Sequence, residues 1–180
     1  MNGDVAYFVL AEKEKCTGCR ACEVACFAAH QKGTLKTVGA VTAPVIPNLY
    51  LTRLEQTCMP VQCHHCEGAP CLQSCLTGAI ERIDGTVVLN AKKCIGCKNC
   101  VMACPFGAAV IIGAAELPCG TVAHAHKCDL CIGRDEPACV ATCPNKALHL
   151  VDTAAETQAK RIKSADAMEA VLSSSAQGGR

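Results

Sequence analysis

The feature that most limits what this chain can fold into is the spacing of its cysteines. Sixteen of the 18 cysteines fall into four compact groups, and only Cys58 and Cys119 lie outside them. In chain order the groups are Cys16, Cys19, Cys22 and Cys26; Cys63, Cys66, Cys71 and Cys75; Cys94, Cys97, Cys100 and Cys104; and Cys128, Cys131, Cys139 and Cys143. Groups one and three share the spacing C-x2-C-x2-C-x3-C. Such repetition predicts duplication of a small unit.

This spacing suits a cubane iron–sulfur cluster. Three cysteines at C-x2-C-x2-C wrap a loop around three corners of one cluster, and Gly18 and Gly96 ease the tight turns in groups one and three. In two-cluster ferredoxins the fourth cysteine of the run binds the other cluster. Structural zinc uses two C-x2-C pairs or Cys/His pairs and needs no such third and fourth cysteine. The spacing therefore predicts four [4Fe–4S] clusters, with a structural zinc-binding interaction module as the remote alternative.

Groups two and three are the closest neighbours in the chain, and the segment between them predicts a hairpin. Ile80–Ile83 and Thr86–Leu89 alternate around Asp84-Gly85. The economical arrangement nests an inner unit of groups two and three inside an outer unit of groups one and four. The predicted ligand sets then cross over between groups: Cys16, Cys19 and Cys22 with Cys143; Cys128, Cys131 and Cys139 with Cys26; Cys63, Cys66 and Cys71 with Cys104; and Cys94, Cys97 and Cys100 with Cys75.

This arrangement predicts an α+β chain with a duplicated bacterial 2[4Fe–4S] ferredoxin-like fold. The predicted domains are an outer unit (residues 1–57 and 119–151, with an insertion at 35–57), an inner unit (58–118), a C-terminal helix (152–173) and a flexible tail (174–180). Strands are predicted at residues 5–10 and 49–54. A capping box at Thr153 and Glu156 begins the helix, which either covers the domain or docks onto a neighbouring subunit.

Composition and charge exclude other classes of protein. The chain has three Phe, two Tyr and no Trp, so few large rings are available to fill a hydrophobic core. The formal net charge of +1 argues against a nucleic-acid binder. Each oxidised cluster with four thiolates contributes about −2, so four clusters bring the loaded chain to about −7. Because the clusters then form the core, the chain without them should be largely unfolded.

The apolar segments and the use of cysteine together predict the compartment of the protein. The apolar run at residues 5–11 is short and follows Asp4, unlike a signal peptide, and the apolar stretch at 106–115 is too short to span a membrane. We expect a cytoplasmic chain, where structural disulfides are rare and thiols bind metal instead. Cys58 and Cys119 are then most simply free thiols.

The motifs KCTGCRACEVAC, QCHHCEGAPCLQSC, KCIGCKNCVMACPFGA and KCDLCIGRDEPACVATCPNKAL resemble the four-cluster ferredoxin-type electron-transfer subunits of molybdenum and tungsten oxidoreductases. That family includes subunits of formate dehydrogenases, formate hydrogenlyase, dimethyl sulfoxide reductase and tungsten aldehyde oxidoreductases. The resemblance covers about residues 5–151. One departure is Leu76, where the family commonly has proline.

The resemblance implies a non-catalytic electron-transfer subunit with sixteen cysteine iron ligands. Its implied partners are a large Mo/W catalytic subunit and a further electron-transfer subunit or further copies of itself, with no membrane span. A stand-alone polyferredoxin is the alternative. The sequence contains no Walker loop, G-x-S-x-G or strand-linked G-x-G-x-x-G motif.

Other residues admit two interpretations. His64 and His65 lie between two predicted ligands, but a full set of thiolates needs no histidine, so hydrogen bonding or packing is favoured. Lys15, Lys93 and Lys127 each precede the first cysteine of a group. They either offset the negative charge of the clusters or are merely solvated.

Overall fold

The computed structural model describes residues 7–31, 37–41, 44–112 and 123–177, with side chains as far as residue 169. Cys119 and the first residues of the predicted strand at 5–10 lie outside that range. Eight strands are described: β1 (Tyr7–Ala11), β2 (Leu49–Arg53), β3 (Cys58–Gln62), β4 (Ile80–Ile83), β5 (Thr86–Leu89), β6 (Val110–Ile111), β7 (Ala125–His126) and β8 (Leu148–Asp152). The α-helices are α1 (Ala21–His30), α2 (Pro70–Gln73), α3 (Asn99–Ala103), α4 (Ala138–Thr142) and α5 (Thr153–Gln177). The chain is therefore α+β, as predicted.

The strands form four separate antiparallel pairs. β1 pairs with β8, so the first and last described strands lie side by side, with Tyr7 opposite Asp152. β4 and β5 form the predicted hairpin, whose Asp84 and Gly85 have φ angles of 47° and 77°. Positive φ at both positions is typical of the tight turn that Asp-Gly favours. The sequence-predicted hairpin is confirmed.

The insertion at residues 35–57 ends in a strand that belongs to a second hairpin. β2 confirms the strand predicted at residues 49–54, and it pairs with β3, which places Leu51 opposite Pro60. A short 3-10 helix, Val38–Ala40, precedes it. The second hairpin brings Cys58 next to the loop of group one, because Cys58 Sγ lies 2.8 Å from the position that a Cβ on Gly18 would occupy.

The four short helices described above pack in two pairs. α1 packs against α4, and α2 packs against α3. Helices α1 and α4 carry cysteines of groups one and four, whereas α2 and α3 carry cysteines of groups two and three. Helix packing therefore brings group one next to group four, which is distant in sequence, and group two next to group three.

The core is built from aliphatic side chains and cysteines rather than aromatic rings. One cluster contains Val9, Leu49 and Leu148 with Cys22, Cys26 and Cys139, and Cys143 packs against it. A second contains Ile80 and Val87 with Cys100, and a third contains Cys63, Ala108 and Cys128. The largest fully buried side chains are Leu49, His65 and Val87. The shortage of large buried residues agrees with the aromatic-poor composition.

Helix α5 differs from the rest of the chain. Asp152 caps it, because its Oδ1 accepts hydrogen bonds from the backbone N–H groups of Ala154 (2.8 Å) and Ala155 (3.1 Å). The cap is therefore one residue earlier than the predicted Thr153. The helix reaches Gln177, beyond residue 173, at which it was expected to end, and its side chains from Ala154 to Glu169 are exposed.

This exposure corrects one of the two interpretations of the terminal helix. α5 packs against β8 where it begins, and its described side chains do not cover the domain. No helix in the described part of the chain combines the length and apolar character needed to cross a membrane.

Candidate iron–sulfur sites

The first loop of every cysteine group bends in the same way. The residue two positions after the first cysteine has a positive φ in all four groups: 71° at Gly18, 49° at His65, 69° at Gly96 and 57° at Leu130. Arg20 and Lys98, which follow the second cysteine of groups one and three, are also left-handed, at 62° and 70°. In groups one and two, the first three cysteines of the loop line a single cavity. The sequence signalled only the glycines among these positions.

A second shared turn follows the fourth cysteine in three of the groups. Gly78, Gly107 and Lys146 lie three residues after that cysteine and have φ angles of 60°, 63° and 48°. In groups two and four, the backbone N–H after this turn donates a hydrogen bond to the sulfur of the fourth cysteine: Ala79 N to Cys75 Sγ and Ala147 N to Cys143 Sγ, both at 3.2 Å. Group one departs from this pattern because α1 continues to His30.

Two cavities are each lined by four cysteines from two different groups. The first contains Cys16, Cys19 and Cys22 of group one and Cys143 of group four, with Leu51, Pro60 and Leu148 among its apolar walls. The second contains Cys63, Cys66 and Cys71 of group two and Cys104 of group three. Both cavities combine four soft sulfur donors with apolar walls, the donor set that binds iron–sulfur clusters.

Several of the other eight cysteines also lie near cysteines of another group. Cys26 of group one and Cys139 of group four share a buried core cluster. Burial, together with the nearby Cys26 and Cys131, raises the pKa of the Cys139 thiol to about 12. Around Cys100 of group three, burial raises the pKa of the thiol, and the neighbouring Cys94 and Cys75 raise it further. Cys97, on the same loop, is exposed.

Burial makes several of these thiols hard to ionise on their own. It raises the pKa of Cys22 to about 11 and that of Cys128 well above its usual range. Backbone N–H groups supply compensating hydrogen bonds, for example Asn48 N to Cys26 Sγ at 3.3 Å and Leu130 N to Cys128 Sγ at 3.4 Å. Such bonds stabilise cluster sulfurs, and binding iron would displace the thiol protons. The sites therefore fit [4Fe–4S] clusters.

His64 lies between two ring systems at the edge of the second cavity. Its imidazole stacks on Phe8 with ring centroids 5.2 Å apart and on Phe106 with centroids 4.1 Å apart. Phe8 belongs to β1, whereas Phe106 follows Cys104 and Pro105, so the stack joins the first strand to the second cavity. The packing interpretation of His64 agrees with this contact.

A histidine that the sequence did not single out contacts Cys26 of group one and Asp129, which lies between two cysteines of group four. His30 Nε2 lies 2.9 Å from Asp129 Oδ1, and its Nδ1 lies 2.7 Å from the carbonyl oxygen of Cys26. Asp129 and Cys26 together raise the pKa of His30 to about 11. No sequence signal identifies this pair, because 99 residues separate its members.

Comparisons with known proteins find iron–sulfur proteins similar to this chain. A family model described as "4Fe-4S dicluster domain" matches residues 54–153. The chain is 39% identical over 154 residues to the electron transport protein HydN of Escherichia coli (strain K12), covering 81% of this chain and 87% of HydN. It is 38% identical over 173 residues to formate hydrogenlyase subunit 2 of the same organism, covering 81% of each chain.

A third relative is much longer than this chain. The putative oxidoreductase AegA of Escherichia coli (strain K12) is 44% identical over 157 residues, which cover 85% of this chain but 23% of AegA. The chain therefore corresponds to less than a quarter of that protein. The family match and the long alignments with HydN and formate hydrogenlyase subunit 2 lead to one conclusion: the chain belongs to the 4Fe–4S dicluster family of iron–sulfur electron-transport proteins and carries multiple [4Fe–4S] clusters.

Proposed function

We propose that this chain is a non-catalytic electron-transfer subunit that holds four [4Fe–4S] clusters in crossed ligand sets. Clusters held by these cysteines would supply one-electron transfer. The proposed sets are set A (Cys16, Cys19, Cys22, Cys143), set B (Cys26, Cys128, Cys131, Cys139), set C (Cys63, Cys66, Cys71, Cys104) and set D (Cys75, Cys94, Cys97, Cys100). The observation that carries the proposal is the first cavity, where three cysteines of group one meet one cysteine of group four.

The crossed sets imply a nested fold of two ferredoxin-like units. The proposed outer unit comprises residues 1–57 and 119–151, and the inner unit comprises residues 58–118, followed by the terminal helix and tail. The pairing of β1 with β8 and of α1 with α4 supports the outer unit. The β4–β5 hairpin and the packing of α2 on α3 support the inner one.

Shared core contacts support a linear order of sets, A–B–C–D. Cysteines of sets A and B share one core cluster, Cys63 of set C and Cys128 of set B share another, and sets C and D meet in the third. The four cysteines of set B are all buried, whereas Cys19 in set A and Cys97 in set D are exposed. Electrons would therefore enter and leave through sets A and D, at opposite ends of the chain of clusters.

We further propose that the partners are a Mo/W catalytic subunit of the formate- or aldehyde-oxidising type and a second redox subunit, in the cytoplasm. The similarity to formate hydrogenlyase subunit 2 supports a subunit role, and the use of cysteines as metal ligands supports a reducing compartment. The exposed α5 supports fixed contacts, including contacts with further copies of this chain, over a stand-alone polyferredoxin.

Two double variants test the crossed sets with opposite expectations. Cys22→Ala with Cys143→Ala removes two ligands of set A alone, so anaerobically purified protein should fall from about 16 to about 12 iron atoms per chain. Cys22→Ala with Cys26→Ala breaks sets A and B and should leave about 8. Uncrossed ligation would exchange these two results.

Metal analysis of the native complex tests the partner. Anaerobic capture of the full chain followed by measurement of Fe, Zn, Mo and W should give iron with stoichiometric Mo or W. Iron without a co-purifying Mo/W subunit would favour the stand-alone polyferredoxin, and zinc without iron would favour the structural zinc module.

A further inference from the structure

Three lysines occupy equivalent positions before a cysteine group, but only one is buried. Lys15 is 49% exposed and lies 2.9 Å from Glu12 Oε2, and Lys93 is also exposed. Lys127, before Cys128, is 5% exposed. The duplicated sequence therefore places the same residue in two different environments, and only the environment of Lys127 excludes water.

The Lys127 ammonium is held between two backbone carbonyls. Its Nζ donates to the carbonyl oxygen of Val87 and, at 2.7 Å, to that of Cys128. Val87 in turn donates its N–H to Nδ1 of the fully buried His65 at 3.0 Å. Val87 lines the cavity of set C, whereas Cys128 belongs to set B. Lys127 therefore lies at the junction of these two sets.

The positive charge of Lys127 has no carboxylate partner in the described part of the chain. The nearest acidic residue in sequence, Asp129, is engaged by His30 Nε2 and by the N–H of Cys131, each at 2.9 Å. An unpaired buried ammonium is costly, by several kcal/mol, unless an opposite charge lies nearby. Thiolate-bound clusters, each of about −2, would provide that opposite charge.

The equivalent position of group two strengthens the comparison. Gln62, which precedes Cys63, is also buried, and its Nε2 donates to the carbonyl oxygen of Val9 at 2.7 Å. Groups two and four thus both bury the residue before their first cysteine. Group two places a neutral amide there, and group four places a cation.

We propose that Lys127 is a buried counter-charge between sets B and C that raises the reduction potentials of both central clusters. Reduction adds a negative charge to a cluster, and a fixed cation in a poorly screened interior favours the reduced form. Lys127 thereby eases electron passage across the junction between the two central sites. The inference rests on the proposed ligand sets. It assigns an electrostatic role to a side chain that does not bind iron.

Anaerobic redox titrations of the loaded protein, followed by EPR, test this role. Lys127→Met and Lys127→Gln remove the charge, and two of the four midpoint potentials should fall. The expected change is at least tenfold in the ratio of reduced to oxidised cluster at a fixed solution potential, which is 59 mV for a one-electron couple. Lys127→Arg should keep the native potentials. Lys15→Met and Lys93→Met are matched controls and should change them little.

Iron content separates this inference from the proposed function. Full iron with four unchanged potentials in Lys127→Met or Lys127→Gln would overturn the counter-charge. Loss of iron from two sites in those variants, with retention in Lys127→Arg, would support it, since the charge is then needed for binding. Loss in Lys127→Arg as well would overturn it. Fewer than four clusters in the native protein would instead refute the proposed function.

Discussion

At the scale of single residues, the cysteine loops depend on left-handed backbone at fixed positions. Glycine occupies that position in groups one and three, where Gly18 and Gly96 have φ near 70°. Groups two and four use His65 and Leu130 instead. A residue with a Cβ adopts this conformation only where the surrounding structure compensates for the strain. The sequence therefore predicted two of these turns and gave no sign of the other two.

Replacement of Gly96 by alanine should destabilise the protein more than replacement of Gly107, which is also left-handed. A Cβ at Gly96 would lie 2.5 Å from the carbonyl oxygen of Ala123, whereas a Cβ at Gly107 meets nothing within 4 Å. Both substitutions carry a left-handed strain of about 1–2 kcal/mol, but Gly96→Ala adds a backbone clash. We expect Gly96→Ala to lose iron and unfold at a lower temperature than Gly107→Ala in anaerobic melts. Equal melting temperatures would contradict this expectation.

At the scale of secondary-structure elements, local signals predicted the hairpin of β4 and β5 but not that of β2 and β3. Asp84 and Gly85 determine the first turn because both adopt positive φ readily. β3 contains Pro60, which lacks an N–H and weakens any strand pattern read from sequence. Its pairing with β2 is set by the contacts of the folded chain, in which Leu49 is buried against Cys22 and Cys26.

Two matched truncations should separate the outer elements from the inner ones. Leu49 lies in the core shared by β1, α1 and α4, and Ile80 lies in the core shared by β4, β5 and α3. Each change to alanine should cost about 2–5 kcal/mol. In partial denaturant under anaerobic conditions, Leu49→Ala should release iron from sets A and B first, and Ile80→Ala from sets C and D. Iron release at the same denaturant concentration and with the same EPR changes in both variants would argue against two nested units.

At the scale of the whole molecule, the last described strand pairs with the first, and a long helix follows it. β8 completes the pair with β1, and α5 follows directly from it with its described side chains exposed. Ile162 and Met168 are among the exposed apolar residues of this helix. An exposed helix that contributes little to the core is available for contacts with another protein.

Deletion of residues 153–180 should therefore change assembly without changing cluster content. The deleted segment carries no cysteine, and its side chains from Ala154 to Glu169 are exposed. We expect native iron content but loss of the co-purifying complex in size-exclusion chromatography with metal detection. The full-length double variant Ile162→Asp and Met168→Asp is the matched control and should weaken assembly while keeping the helix. An intact complex in the deletion variant would refute a docking role for α5.

The sequence alone determined the chemistry of this protein, because ligand identity and loop geometry are encoded over short stretches. Four cysteine groups with C-x2-C loops indicate iron–sulfur clusters whatever surrounds them, and the Asp-Gly turn and the terminal helix are equally local. The environment of each group was decided by the tertiary structure. Only the folded chain pairs His30 with Asp129 and exposes α5. It also buries Lys127 while leaving Lys15 in solvent, since Lys127 contacts the carbonyl of Val87, 40 residues earlier, whereas Lys15 pairs with Glu12 at the surface.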